Sequence, residues 1–120
     1  MQLVELPGAR SQGEKAKLEE GEAILAKLSA RDVLVALDER GKAMTSVELS
    51  AFVAKQQAQG RDLAFAIGGD DGLSDAVRAK AGLVLALSAM TLPHRLARLV
   101  LMEQLYRAFT ILRGEPYHRS

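Results

Sequence analysis

The chain has 120 residues and a formal net charge of +1, and its length predicts a single domain over residues 1–120. Its composition is ordinary for a soluble globular protein, and the absence of cysteine excludes disulfides, thiolate catalysis and cysteine-based zinc sites. The first residues do not resemble a signal peptide and no apolar run is long enough to cross a bilayer, so we expect a cytoplasmic protein that avoids membranes.

Strand-like apolar runs alternate with helical stretches along the whole chain. The pattern predicts strands over residues 2–6, 32–37, 63–67 and 83–87, and helices over residues 12–29, 46–59, 74–81 and 93–112. The last three strands are continuous apolar runs, which are typical of strands buried on both faces. The alternation therefore predicts an α/β domain with a mostly parallel sheet and helices on both faces.

Three loops should meet where the parallel strands end, which is where open α/β sheets bind ligands. These loops are residues 38–41, 68–72 and 88–94. The second is rich in glycine but matches neither dinucleotide nor P-loop spacing, and Asp70 and Asp71 would repel phosphate. It suits a ligand with a neutral or cationic part, although an ordinary tight turn explains it equally well. The third loop is apolar, so its backbone could contact an adenine edge, or its side chains could simply pack in the core.

The last helix and the tail carry further candidate features. The helix is apolar over most of its circumference, which predicts a subunit interface and, by default, a two-fold homodimer. Residues 92–120 also carry five arginines against two acidic residues, which indicates either phosphate contact or a solvated helix face. The terminal Tyr117, His118 and Arg119 are either a frayed end or an ordered tail that approaches RNA. With two histidines and no cysteine, we expect no metal.

Several segments, taken in order, carry a family resemblance. They are EGEAIL at residues 20–25, LDERGK at 37–42, FAIGGDDGL at 65–73, LALSAMTLPH at 85–94, LYRA at 105–108 and PYHR at 116–119. In combination they resemble the RlmH family of bacterial SPOUT methyltransferases, and the likeness covers essentially the whole chain. It implies a trefoil-knotted fold, a rare exception to the usual connection rules. It also implies S-adenosylmethionine as the cofactor and N3 of a pseudouridine in 23S ribosomal RNA as the methylated atom. The substrate is expected to be this RNA within the ribosome, with free RNA as the alternative.

The resemblance also implies which residues form the site. The cofactor contacts would be Leu37, Gly68, Leu87, Ser88, Ala89, Met90, Thr91 and Leu92. His118 would act as a base or as an orienting group, because imidazole can accept a proton near neutral pH. Tyr117 and Arg119 would bind the nucleotide and its phosphate, and Arg95 and Arg107 would follow the RNA backbone, a contact that salt weakens.

Two alternatives to this assignment stay open. Members of the family begin with a further strand and helix, whereas Met1 stands where the second strand should start, so the chain is expected to be short at its amino end. The first alternative is therefore a knotted cofactor-binding or ribosome-binding module with impaired catalysis. The second is a SPOUT methyltransferase that acts on a different RNA.

Overall fold

A computed structural model describes residues 2–5, 14–67 and 73–118 of the chain. Strands and helices alternate within these ranges as the sequence pattern predicts. The elements are β1 (Gln2–Glu5), α1 (Glu14–Ala26), β2 (Asp32–Ala43), α2 (Ser46–Ala58), β3 (Asp62–Ile67), α3 (Asp75–Lys80), β4 (Leu83–Ala86) and α4 (His94–Leu112). The glycine-rich loop of residues 68–72, which includes the proposed cofactor residue Gly68, lies outside the described residues, as does Arg119.

The sheet has the order β1-β3-β2-β4, and its neighbouring strands are all parallel. Val35 lies opposite Phe65 of β3 on one side and opposite Leu83 of β4 on the other. Residues 33–36 of β2 are buried because the strand is paired on both edges and covered on both faces. This burial explains why that part of its sequence is a continuous apolar run. The predicted α/β class with a parallel sheet is confirmed.

Helices cover both faces of the sheet, because successive side chains of a strand point to opposite sides. On one face, Val35 and Phe65 pack with residues of α2 and α4, including Val53 and Leu101. The opposite face is lined by small side chains of β2 and β3 and is covered by α1 and α3. This second cluster consists of Ile24, Leu34, Ala36, Ala64, Ala66, Leu73 and Val77.

The predicted loop at residues 38–41 is wrong in one respect, because these residues are an irregular part of β2 and not a separate connection. Leu37 and Lys42 both face Leu85 of β4, so the four residues between them form a bulge. A Cβ atom added to Gly41 would lie 2.5 Å from the carbonyl oxygen of Val84, so only glycine lets the two backbones approach this closely. The composition Asp-Glu-Arg-Gly suggests a turn. After the bulge, however, Lys42 and Ala43 pair with β4, so the strand continues to Ala43.

No helix within the described part of the chain combines the length and the apolar character needed to cross a membrane.

Candidate active site

The bulge of β2 contacts the segment that follows β4. The Thr91 hydroxyl donates a hydrogen bond to the carboxylate of Glu39. Within the same segment, the Met90 backbone N–H donates to Ser88 Oγ over 2.9 Å, a local turn that fixes the direction of the chain. Two of the three predicted loops therefore meet at the carboxyl edge of the sheet, as expected.

A partly buried ion pair joins the bulge to α3. Arg78 Nη1 lies 3.3 Å from Asp38 Oδ2 and also donates to the carbonyl oxygen of Leu73 over 2.6 Å. The Asp38 side chain is only 8% exposed. Hydrogen bonding from the Arg40 side chain is the main cause that lowers the pKa of Asp38, and the Arg40 backbone and the charges of Arg40 and Arg78 add to it against the opposing effect of burial. Asp38 is therefore ionised at neutral pH and links β2 to the residues that follow the 68–72 segment.

The residues proposed to hold the cofactor differ in their surroundings. Leu37 and Leu87 are half-buried and pack against the first core cluster, so core packing is part of their role. Ala89, Met90 and Thr91 are exposed, and Met90 retains 77% of its accessible surface. The described part of the site thus combines a fixed apolar base with an open rim.

The chemistry of this edge fits S-adenosylmethionine, whose adenosyl group is largely apolar and whose sulfonium is cationic. Leu37 and Leu87 offer apolar surface, and Glu39 brings an exposed carboxylate to the same edge. Among the residues that the structure describes, no three histidine, cysteine, aspartate or glutamate side chains form a group that could hold a metal ion.

A cleft of about 250 Å³ lies on the α4 side of the same edge. Leu85, Leu87 and Val100 form part of its apolar wall. Its polar side includes Ser46 Oγ, which donates to Gln104 Oε1 over 2.5 Å. The sequence pattern did not identify this cleft, because its walls come from three separate elements.

The tail folds back along α4 at Gly114. This glycine has φ +71°, a left-handed conformation that ends many helices. The backbone N–H of Gly114 donates to Ile111 O over 3.1 Å, and that of Glu115 donates to Thr110 O over 2.9 Å. These two bonds satisfy carbonyls of the last helical turn and direct the tail toward the middle of α4.

Glu103 is the residue on α4 to which the tail attaches. Its carboxylate accepts from Arg107 Nε over 3.1 Å and from Arg107 Nη2 over 3.0 Å, a forked ion pair one helical turn long. It also accepts from the Tyr117 hydroxyl over 2.9 Å. The bond from Arg107 is the main cause that lowers the pKa of Glu103, and the bond to Glu103 is the main cause that raises the pKa of Tyr117.

The tail side chains pack around this carboxylate. The ring of Tyr117 meets the ring of Tyr106 edge to face with centroids 4.8 Å apart, and the guanidinium carbon of Arg107 lies 4.9 Å from the Tyr117 centroid. His118 Nδ1 lies 3.2 Å from Arg107 Nη1. The described tail is thus ordered against α4 and brings together Arg107, Tyr117 and His118, three residues singled out from the sequence.

One other predicted residue, Arg95, lies apart from this group. Arg95 is exposed on the first turn of α4, roughly 18 Å along the helix axis from Arg107 at 1.5 Å per residue. Glu103, in contrast, belongs to the group and was missed. Its spacing of four residues from Arg107 indicates an ion pair on a helix, but the sequence does not indicate that the tail returns to it.

One face of α4 carries a row of exposed apolar side chains. Leu96, Leu99, Met102 and Tyr106 fall on one stripe of the helix and are between 44% and 65% exposed. The opposite face of α4 is buried through Ala97, Leu101, Leu105 and Ala108. The apolar residues around α4 therefore form two faces: one is buried in the core, and the other is largely exposed to solvent.

Comparison with known proteins identifies the family. The family model described as "Predicted SPOUT methyltransferase" matches residues 1–118. A protein of Anaeromyxobacter sp. (strain Fw109-5), named "Ribosomal RNA large subunit methyltransferase H", is 58% identical over 120 residues that cover 98% of this chain and 78% of the relative. Proteins of the same name from Hahella chejuensis and Xanthobacter autotrophicus are each 48% identical and are covered over 80% and 75% of their lengths. The chain therefore belongs to the SPOUT methyltransferase family, within its RlmH group, and the family's trefoil-knotted α/β fold comes with that membership.

Proposed function

We propose that this chain transfers a methyl group from S-adenosylmethionine to N3 of a pseudouridine in 23S ribosomal RNA. The observation that carries the proposal is the 58% identity, along 98% of the chain, to a relative named as a ribosomal RNA large subunit methyltransferase. The matched stretch contains both the segment after β4 and the tail that attaches to Glu103.

The cofactor would be held by Leu37, Gly68 and residues 87–92. The closed turn between Ser88 and Met90 supports this assignment, because a fixed bend can present its backbone groups to an adenine ring. The exposed carboxylate of Glu39 would favour the cationic end of the ligand. When bound, S-adenosylmethionine supplies a methyl group on a sulfonium sulfur, which departs as a neutral thioether.

The contribution of the chain itself is mainly to position the two reactants. N3 of the base must lose its proton as it forms the new bond to carbon, because the ring nitrogen is nucleophilic only after deprotonation. His118 is the candidate for accepting that proton or for orienting the base, and Tyr117 and Arg119 are candidates for binding the nucleotide. Arg95 would follow the RNA backbone, and Arg107 would do so only with the part of its guanidinium that Glu103 and His118 leave accessible.

We further propose that the molecule acts as a homodimer joined through α4. The row formed by Leu96, Leu99, Met102 and Tyr106 supports this, because an apolar stripe of this kind is normally covered by another protein surface. A two-fold axis would place the same stripe of each subunit against the other.

Cofactor binding is tested by calorimetric titration of S-adenosylmethionine into the wild-type chain and into Ser88→Ala. Loss of the Ser88 hydroxyl removes the bond that closes the turn at Met90, so we expect affinity to fall by roughly 5- to 10-fold, equivalent to about 1–1.4 kcal/mol. Ser29→Ala, in the exposed connection before β2, is the control and should bind like the wild type. Equal affinity in all three proteins would contradict the proposed position of the cofactor.

The substrate is tested by methyl transfer to 23S ribosomal RNA from cells that lack the native modification, given both as free RNA and within ribosomes. We expect transfer to RNA that contains pseudouridine at the target and none to RNA with uridine there. Cofactor binding with transfer to a different RNA would favour a SPOUT enzyme of another specificity. Failure to bind the cofactor would favour a module without catalysis.

A further inference from the structure

We propose that Glu103 is a positioning residue for methyl transfer, and that it acts through Arg107 to hold His118 as a hydrogen-bond donor through Nε2. This inference rests on the proposed function, because it assigns a role within the same site. It is carried by the contacts that join α4 to the tail, which involve Glu103, Arg107, Tyr117 and His118.

Glu103 fixes the guanidinium of Arg107 in one plane. Two parallel hydrogen bonds, from Nε and Nη2, occupy both carboxylate oxygens and leave Nη1 directed away from the pair. The Tyr117 hydroxyl donates to the same carboxylate, which brings the tail to the side of Arg107 that carries Nη1. Removal of the Glu103 carboxylate would remove the bonds that fix the plane of the Arg107 guanidinium and the position of the Tyr117 hydroxyl.

The contact between Arg107 and His118 determines where the imidazole carries its proton. Guanidinium nitrogens only donate hydrogen bonds, so the 3.2 Å contact from Nη1 requires Nδ1 to be the acceptor. A neutral imidazole that accepts at Nδ1 carries its hydrogen on Nε2. The charged and titratable groups near His118 are Glu103 and Arg107 on α4 and Tyr117 in the tail. Of these, Arg107 contacts Nδ1, which leaves Nε2 available to donate to a substrate.

This geometry gives His118 an orienting role. N3 of the base first loses its proton to water or hydroxide, and negative charge gathers on the carbonyl oxygen beside it. A donor at Nε2 can bond to that oxygen and stabilise the charge. N3 then forms its bond to the methyl carbon as the carbon–sulfur bond breaks. The rate should therefore rise with pH through neutrality, following ionisation of N3.

The matched test compares Glu103→Gln with Glu115→Gln. Glu103 forms an ion pair with Arg107 and Glu115 forms one with Arg113, but only Glu103 contacts Tyr117. We expect Glu103→Gln to lower kcat on the order of 10- to 100-fold with unchanged affinity for S-adenosylmethionine, and Glu115→Gln to match the wild type. Arg107→Lys, which keeps the charge but loses the fork, should resemble Glu103→Gln. Wild-type kcat in both Glu103→Gln and Arg107→Lys would overturn the proposal.

A second readout does not depend on activity. Nitrogen NMR of the imidazoles, assigned with His94→Gln, should show the hydrogen of His118 on Nε2 in the wild type and a mixture of tautomers in Glu103→Gln. A hydrogen on Nδ1 in the wild type would overturn the proposal, as would a rate that does not rise with pH through neutrality. If the wild type transfers no methyl group, the proposed function fails while the NMR result still decides the positioning role.

Discussion

Asp38 is a nearly buried carboxylate in the bulge of β2, and its ionisation is linked to the stability of the fold. Arg40 and Arg78 contact it and hold its pKa below the ordinary value. A carboxylate with a lower pKa in the folded than in the unfolded chain stabilises the fold fully above its unfolded pKa of ~3.9. That contribution is lost as the pH falls through the lower, folded value.

The first prediction concerns the substitution Asp38→Asn. We expect it to reduce the free energy of unfolding by about 1–2 kcal/mol at neutral pH, because Arg78 loses a shielded charged acceptor. The difference from the wild type should stay constant down to about pH 5 and shrink below about pH 4. Urea unfolding across this range measures it.

The control is Asp75→Asn, whose carboxylate contacts the same Arg78 but is 96% exposed. Solvent screening should limit its effect to less than about 0.5 kcal/mol. Equal losses in the two variants would mean that burial of the Asp38 carboxylate has no energetic consequence.

The second prediction concerns Gly41, where β2 and β4 approach most closely. Gly41→Ala should destabilise the fold by about 1–3 kcal/mol, because its Cβ would lie 2.5 Å from a backbone oxygen that cannot move independently of β4. Gly60→Ala is the control: nothing lies near its Cβ, and only its φ of +70° opposes the substitution, at roughly 1 kcal/mol or less. An unfolding free energy of Gly41→Ala equal to that of the wild type would show that the bulge is not closely packed.

At the scale of elements, apolar periodicity predicted the order of strands and helices. It could do so because the spacing of apolar residues within each element reflects which of its faces is buried. It placed the end of β2 too early, since the pairing of Lys42 and Ala43 with β4 is a non-local contact that a turn-like composition conceals. Glu103 was missed for the same reason: its partner Tyr117 lies 14 residues away, beyond the helix end. The knot is a property of how the chain threads, so it followed from family resemblance and not from periodicity.

Helix α4 carries both the tail and the exposed apolar row, and the third prediction concerns that row. Leu99→Glu should produce a monomer, because a charge at the centre of the stripe would be buried without a partner in the proposed dimer. Light scattering during gel filtration measures the mass.

Leu112→Glu is the matched control, because Leu112 is exposed on the same helix but outside the stripe, and it should leave the dimer intact. A dimeric Leu99→Glu protein would place the interface elsewhere, and a monomeric wild type would exclude the dimer altogether.

At the scale of the whole molecule, the sheet places the segment after β4 at its carboxyl edge, while α4 leads the chain away to the group around Glu103. The cofactor assignment concerns the start of this helix, and the tail assignment concerns the group around Glu103, about 14 Å further along at 1.5 Å per residue. Dimer formation through α4 would offer a way for these two regions to meet across subunits. Loss of the dimer in Leu99→Glu should therefore also abolish the activity.

Methylation of N3 of a pseudouridine in 23S ribosomal RNA is the activity on which the assignments of the cofactor loop and the tail both depend. Mass spectrometry of nuclease fragments, after incubation of the chain with S-adenosylmethionine and ribosomes that lack the modification, tests it most directly. We expect one added methyl group on a single pseudouridine, located on the N3 side of the ring. A methyl group on another nucleotide, or unmodified RNA in the presence of folded, cofactor-binding protein, would contradict it.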